Sequence, residues 1–315
     1  MKKTYKARST AQTLKTVSVI VMLIAALALT GCVKGAEKAN LKGTAKIGSE
    51  CTTESMVVAE IYSIALEKSG YRVTRTTDIA SGEELGSELF NKNINLYPGY
   101  TNNVLRTILK YPMEKDPDKA FEQVSTGLLV AMDATCLDTV PADSTPGFAI
   151  TKEAADKYGI KTVSDLQKNA GNLRFAKSPQ ADGEDFDMAG LCEMYGKFTW
   201  AGETAVEEAK KYRTLLNGEA DCCVARGTDG YLREDSLVLI EDDLGFWPSY
   251  KLMPVVSNSL LTNRTLLGRI LNYVDKGLTT EVLRDLNAQC DIDGKSPEKI
   301  AEEYYDTIKD EMPKK

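Results

Sequence analysis

Histidine is absent from this 315-residue chain. That excludes Ser-His-Asp and Cys-His nucleophilic sites, imidazole acid–base chemistry and histidine-ligated zinc. A basic excess is missing too: 39 Lys+Arg stand against 46 Asp+Glu, a formal net charge of -7. Nothing in the bulk charge attracts a phosphate backbone, so nucleic acid is not an expected partner. Aromatic residues make up only 7%, and no GxSxG, GxGxxG or HExxH motif occurs. The longest apolar run, Val17 to Leu29 broken only by Ser18, falls short of the ~20 residues that a spanning helix needs. What remains is 43% hydrophobic and 27% charged, an ordinary globular composition with core enough for one large domain or two smaller ones.

Charge is unevenly placed. The first 31 residues carry Lys2, Lys3, Lys6, Arg8 and Lys15 and no acid. A basic segment, a short apolar run and small residues before a cut describe a secretory signal over residues 1–31. The ending Leu29-Thr30-Gly31-Cys32 resembles a bacterial lipobox, in which Cys32 would be lipidated and become the mature N-terminus. The lipid would then be the membrane anchor, followed by a polar tether over 32–44 and an acidic, extracytoplasmic body.

Seven cysteines occur, at 32, 51, 136, 192, 222, 223 and 290. With Cys32 lipidated, an even number is left, which an oxidising compartment could pair. The spacing has no CxxC pattern, however, and a body of this size needs no staples. Cys222 and Cys223 are neighbours in a strand-like run and point to opposite faces. Buried free thiols are the favoured reading. No metal site and no cofactor are expected.

Patterns then alternate along the chain. Strands are expected at 45–48, 71–77, 94–97, 147–150, 173–176, 221–225, 237–241 and 255–257. Helices are expected at 53–69, 82–91, 102–110, 118–131, 152–158, 163–168, 187–194, 204–216, 266–274, 280–288 and 297–309. Alternation of this kind argues for α/β architecture with mainly parallel sheets. Two such runs suggest two lobes, one from 45–146 plus 252–315 and one from 147–251. Gly294-Lys295-Ser296 lacks the earlier glycine of a P-loop and reads as a turn before a helix that starts at Pro297.

Several segments carry a resemblance. Ile47-Gly48-Ser49-Glu50-Cys51-Thr52-Thr53-Glu54, Ile94-Asn95-Leu96-Tyr97-Pro98-Gly99-Tyr100-Thr101, Lys161-Thr162-Val163-Ser164-Asp165-Leu166 and Gly245-Phe246-Trp247-Pro248-Ser249-Tyr250 stand in order. They resemble motifs of the substrate-binding lipoproteins of osmoprotectant ABC importers, whose ligands are glycine betaine, choline or carnitine. The resemblance implies a two-lobe periplasmic-binding-protein (clamshell) fold, each lobe a mixed, mainly parallel sheet with flanking helices. It also implies a small-molecule ligand, an ABC permease as partner and no enzymatic activity. A sensor of the same fold, with no transport role, is the alternative.

The resemblance further implies a cage of tyrosines around a quaternary ammonium, with a lysine and an arginine on the ligand carboxylate. Here Tyr100 and Tyr250 fall on two cage positions, with Cys51 and Thr101 beside the matched motifs. Pro146 and Arg226 fall on the other two cage positions. The motif lysine is Glu50, and the arginine aligns with Glu184. With both anchors reversed in sign, an amine, guanidine or zwitterion bound by Glu50, Glu184 and Arg226 fits better than betaine. The bland alternative pairs Glu50 or Glu184 with Arg226 across the cleft. A Cys51 nucleophile lacks a base and sits beside Glu50, which would raise its pKa.

Overall fold

The computed structural model describes residues 42–183, 186–262 and 264–314. The signal segment, Cys32, most of the tether and Glu184 lie outside the described residues. Strands are numbered in chain order as β1 (Thr44–Glu50), β2 (Arg72–Ile79), β3 (Leu96–Tyr100), β4 (Ala134–Cys136), β5 (Pro146–Thr151), β6 (Arg174–Lys177), β7 (Gly202–Ala205), β8 (Cys222–Arg226), β9 (Leu237–Leu239) and β10 (Leu252–Ser257). Among the described residues they form two five-stranded sheets, ordered β2-β1-β3-β10-β4 and β7-β6-β8-β5-β9. The chain passes between the sheets twice, through 137–145 and 240–251.

Each sheet is mixed. β1 pairs in parallel with β2 and β3, and β6 with β7 and β8. β10 and β5, each lying next to a passage between the sheets, run antiparallel to both of their neighbours. The returning strands therefore make the sheets less parallel than the alternation suggests.

Period-two burial explains the second sheet. Phe148, Ile150, Cys222 and Val224 pack on one face with Leu166, Phe175 and Trp247. Ala149, Cys223 and Ala225 pack on the other with Tyr212 and Leu215. Cys222 and Cys223 thus enter different cores, as adjacent strand residues must. All six described cysteines are free thiols, with Cys51 exposed and Cys136, Cys222 and Cys223 buried. The first sheet carries helix α1 (Thr53–Lys68) on one face. On its other face lie α2 (Gly82–Phe90) and α3 (Pro117–Met132). The C-terminal helices α4 (Thr265–Lys276), α5 (Thr280–Asp291) and α6 (Pro297–Ile308) cover α1, which is therefore buried nearly all round, polar Glu54, Ser55, Glu60 and Ser63 included.

Several expectations differ from the structure. The span 204–216 is not one helix: Gly202–Ala205 is a strand and Lys211–Leu216 a short helix. Its exposed polar side chains follow no helical period, and parallel pairing with β6 at the sheet edge decides it. The span 102–110 holds one helical turn, Thr101–Asn103, and then a widened π-helical turn, Val104–Ile108, a form that recurs beside functional sites. β4, three residues long, gives no sequence signal.

The two passages are fastened together by Asp143. Its Oδ1 accepts the backbone N–H groups of Thr145 (3.1 Å) and Tyr250 (3.2 Å) and the Thr145 hydroxyl. Its Oδ2 accepts Ser249 Oγ at 2.6 Å and faces Lys251 Nζ at 3.3 Å. Burial pushes the carboxyl up, but the Ser249 and Thr145 hydroxyls and Lys251 outweigh it and leave it below its ordinary value. A depressed carboxyl stabilises above the unfolded value near 3.8, and that contribution is lost as pH falls through the folded value. Asp143→Ala is expected to lower unfolding free energy by ~2 kcal/mol or more at neutral pH. Urea unfolding should show the gap to the parent steady down to about pH 5 and closing below about 4; a gap that widens in acid contradicts this account.

Candidate functional site

A cleft of about 1320 Å³ opens between residues carried by the two sheets. That exceeds the ~300–1,000 Å³ of most small-molecule sites. The C-terminal ends of β1, β3 and β8 deliver Glu50, Tyr100 and Arg226 to it, and the second passage delivers Tyr250. Placing polar groups at strand ends is what this architecture does well, because the strand interiors are committed to the core.

Most of the sequence-predicted residues come together here. Glu50, Cys51, Tyr100, Arg226 and Tyr250 all line the cleft. Asn103 Nδ2 approaches Glu50 Oε1 at 3.5 Å. Thr101 does not line it: the side chain is buried, donating to Ser249 O at 3.4 Å and accepting from Lys251 N at 3.2 Å. Its work is to tie β3 to the second passage. Pro146 is buried at the head of β5, paired in register with Arg226.

Arg226 lies against two aromatic faces. Its guanidinium carbon is 5.1 Å from the Tyr250 ring centroid and 5.5 Å from that of Phe186. Nη1 donates to Ser144 O at 3.3 Å, and the backbone N–H donates to Asp229 Oδ2 at 2.9 Å. Asp229 Oδ2 also accepts Tyr212 OH at 2.5 Å and lies 3.6 Å from Lys211 Nζ. Lys211 is only 4% exposed and is further held by Glu208 at 2.7 Å and by the Gln180 side chain. This network fixes the loop that presents Arg226.

Reasoning from sequence missed Glu54 and its partners. Glu54, 8% exposed, accepts Tyr100 OH at 2.5 Å and Asn287 Nδ2 at 2.7 Å. Asn287, on α5, also donates to Thr228 O at 2.8 Å, and the Thr228 hydroxyl meets Ser144 Oγ at 2.8 Å. Glu54 therefore joins the first sheet's helices to the loop after β8. Burial pushes its carboxyl up, and hydrogen bonds from Thr228, Tyr100 and Asn287 hold it back only in part. Gly230 explains the close approach of that loop: a Cβ there would meet Ala288 N at 2.5 Å. The Glu54 signal was in the sequence, as the last residue of the matched Thr53-Glu54 pair. Asn287 gave none. Among the described residues no group of His, Cys, Asp and Glu is placed to hold a metal ion.

Residues 43–307 match the OpuAC family model, described as the substrate-binding domain of ABC-type glycine betaine transport systems. The chain belongs to that family. The carnitine transport binding protein OpuCC of Listeria monocytogenes is 26% identical over 296 residues, covering 90% of this chain and 93% of the relative. The ergothioneine transport permease/ergothioneine binding protein EgtU of Helicobacter pylori is 24% identical over 263 residues. That alignment covers 83% of this chain but only 47% of EgtU. A crystal structure of a glycine betaine/carnitine/choline ABC transporter protein superposes with a TM-score of 0.77 at 27% identity, covering 84% of this chain and 98% of the other. The OpuAC family is one of two-lobe solute-binding proteins, which supports the clamshell reading of the two sheets.

The Glu54 node gives a test. Its raised carboxyl favours folding below the ordinary value near 4.5, and that contribution is lost as pH rises through the raised value. Tyr100→Phe removes one donor from the buried carboxylate, so it is expected to cost ~1–3 kcal/mol at pH 7. Chemical denaturation at a series of pH values should show the deficit shrinking as Glu54 takes up its proton. A deficit that is absent at pH 7, or that grows in acid, contradicts the assignment.

Proposed function

We propose that this protein is the solute-binding component of an ABC importer, anchored outside the cytoplasm by lipid on Cys32. It binds a small amine or zwitterion between its lobes and has no enzymatic role. Membership of the OpuAC family supports the transport reading, as does the name of the carnitine-binding relative. The ligand pulls the lobes together, and the closed form docks on the permease.

One observation carries the ligand class: Glu50 and Arg226, of opposite charge and carried by different sheets, both line the cleft. Glu50 stands at the end of β1 and Arg226 at the end of β8, and Tyr100 lies within electrostatic reach of both. A protonated amine or guanidine faces Glu50, and an acidic group faces Arg226. Charge-assisted contacts of ~1.5–3 kcal/mol each make this pair sufficient to set specificity. Glu184 belongs to the same clamp by its alignment with the family's anchoring arginine.

Thermal-shift screening with amino acids, guanidino acids and glycine betaine tests the clamp. Amines and zwitterions are expected to raise the melting temperature, and glycine betaine to do so weakly. Glu50→Gln and Arg226→Ala should each weaken a hit tenfold or more, ~1.4 kcal/mol per tenfold, in samples that melting curves show to be folded. If both single variants instead melt early and the double variant recovers, the two residues form a structural pair and the clamp is wrong.

Lipid attachment has its own check. Cells fed a radioactive fatty acid should label the parent protein and leave Cys32→Ser unlabelled. Equal labelling of both would remove the anchor from the proposal.

A further inference from the structure

We propose that Arg226 is a resident cation seated in an aromatic recess, and that it keeps quaternary ammonium ions out of the cleft. The inference rests on the reading above, that the ligand binds in this cleft. It adds a residue that determines selectivity by exclusion.

The recess is rigid. Tyr250 is 1% exposed and Phe186 is fully buried. The Phe186 ring packs edge-to-face on Trp247 at 6.4 Å, and Trp247 Nε1 donates to Phe186 O at 3.1 Å. The Tyr250 hydroxyl points to Met113 Sδ at 3.3 Å, and its backbone N–H is held by Asp143. Neither ring can move aside without breaking these contacts. Both present a π face to the guanidinium, at 5.1 and 5.5 Å. Such faces also attract an ammonium ion, because the ring quadrupole is negative above the plane. While the guanidinium is seated there, a second cation loses those faces and meets a like charge.

The surroundings say what the recess would do without Arg226. Glu50, Glu54 and Asp229 all line the cleft. Glu54 is within hydrogen-bond reach of Tyr100, and Asp229 holds the Arg226 backbone. Removing the guanidinium leaves two aromatic faces open to an incoming cation, in a cleft whose lining carries both signs, Glu50, Glu54 and Asp229 with Arg106, Lys110 and Lys211. The same substitution that removes the grip on an acidic ligand group therefore creates a site for a quaternary ammonium.

Calorimetric titration with tetramethylammonium and with choline tests this on the parent, Arg226→Ala, Arg226→Gln and Arg226→Lys. Arg226→Gln keeps much of the side chain without its charge, in case Arg226→Ala folds poorly; melting curves establish which variants are folded. Arg226→Ala or Arg226→Gln is expected to bind both probes at least tenfold more tightly than the parent, and Arg226→Lys no more tightly. Adding Tyr250→Leu to the gaining variant should abolish the gain. Folded neutral variants that bind no better than the parent overturn the proposal, as does a parent that binds tetramethylammonium as tightly as they do. The two readings fail separately. Amines and zwitterions that still depend on Glu50 and Arg226, without any gain for tetramethylammonium, leave the clamp standing and remove the exclusion role. Binding that ignores both residues removes the clamp itself.

Discussion

The carboxylate of Asp143 sits where both passages between the sheets run side by side, and the placement of the cleft residues follows from it. By accepting the Tyr250 backbone N–H it sets the ring on which Arg226 lies. By accepting from Thr145 it fixes the start of β5, whose first residue, Pro146, pairs with Arg226. The intervening Ser144 supplies the carbonyl that takes the guanidinium and the hydroxyl that meets Thr228. A single ionised side chain, holding four donors and facing Lys251, thus relates the two passages to the residues that line the cleft.

Electrostatics then distinguishes this cleft from an aromatic cage. Cations are normally expensive to desolvate, and so are carboxylates. The protein offsets both costs internally: Arg226 against two rings and a carbonyl, Glu54 against three donors, Lys211 against Asp229 and Glu208. One cation, Arg226, is thus already built into the wall of the cleft. A ligand with both a donor cation and an acidic group is proposed on the strength of Glu50 and Arg226.

Much of this was legible in the sequence because it is local. The helix entry at Ser296-Pro297 appears in the structure as its chemistry requires. The strands leading to Glu50, Tyr100 and Arg226 followed from ordered motifs and alternation, although the expected ends at 48, 97 and 225 stop short of those residues. The rest depends on contacts that no short window contains. β4 exists because β10 offers it a partner, and β7 because β6 does. Thr101 reads as a site residue by its neighbour Tyr100, yet it opens the helical turn after β3 and its buried side chain holds the second passage instead. Asn287 reaches Glu54 across 233 residues of chain, and Phe186 becomes a wall of the recess only once Trp247 supports it.

The central claim is the polarity of the ligand, and native mass spectrometry reads it directly. Protein purified without denaturation from its own cells should carry a small molecule bearing both a protonatable amine or guanidine and an acidic group. Recovery of choline, glycine betaine or another quaternary ammonium, held tightly with Arg226 intact, would contradict the account.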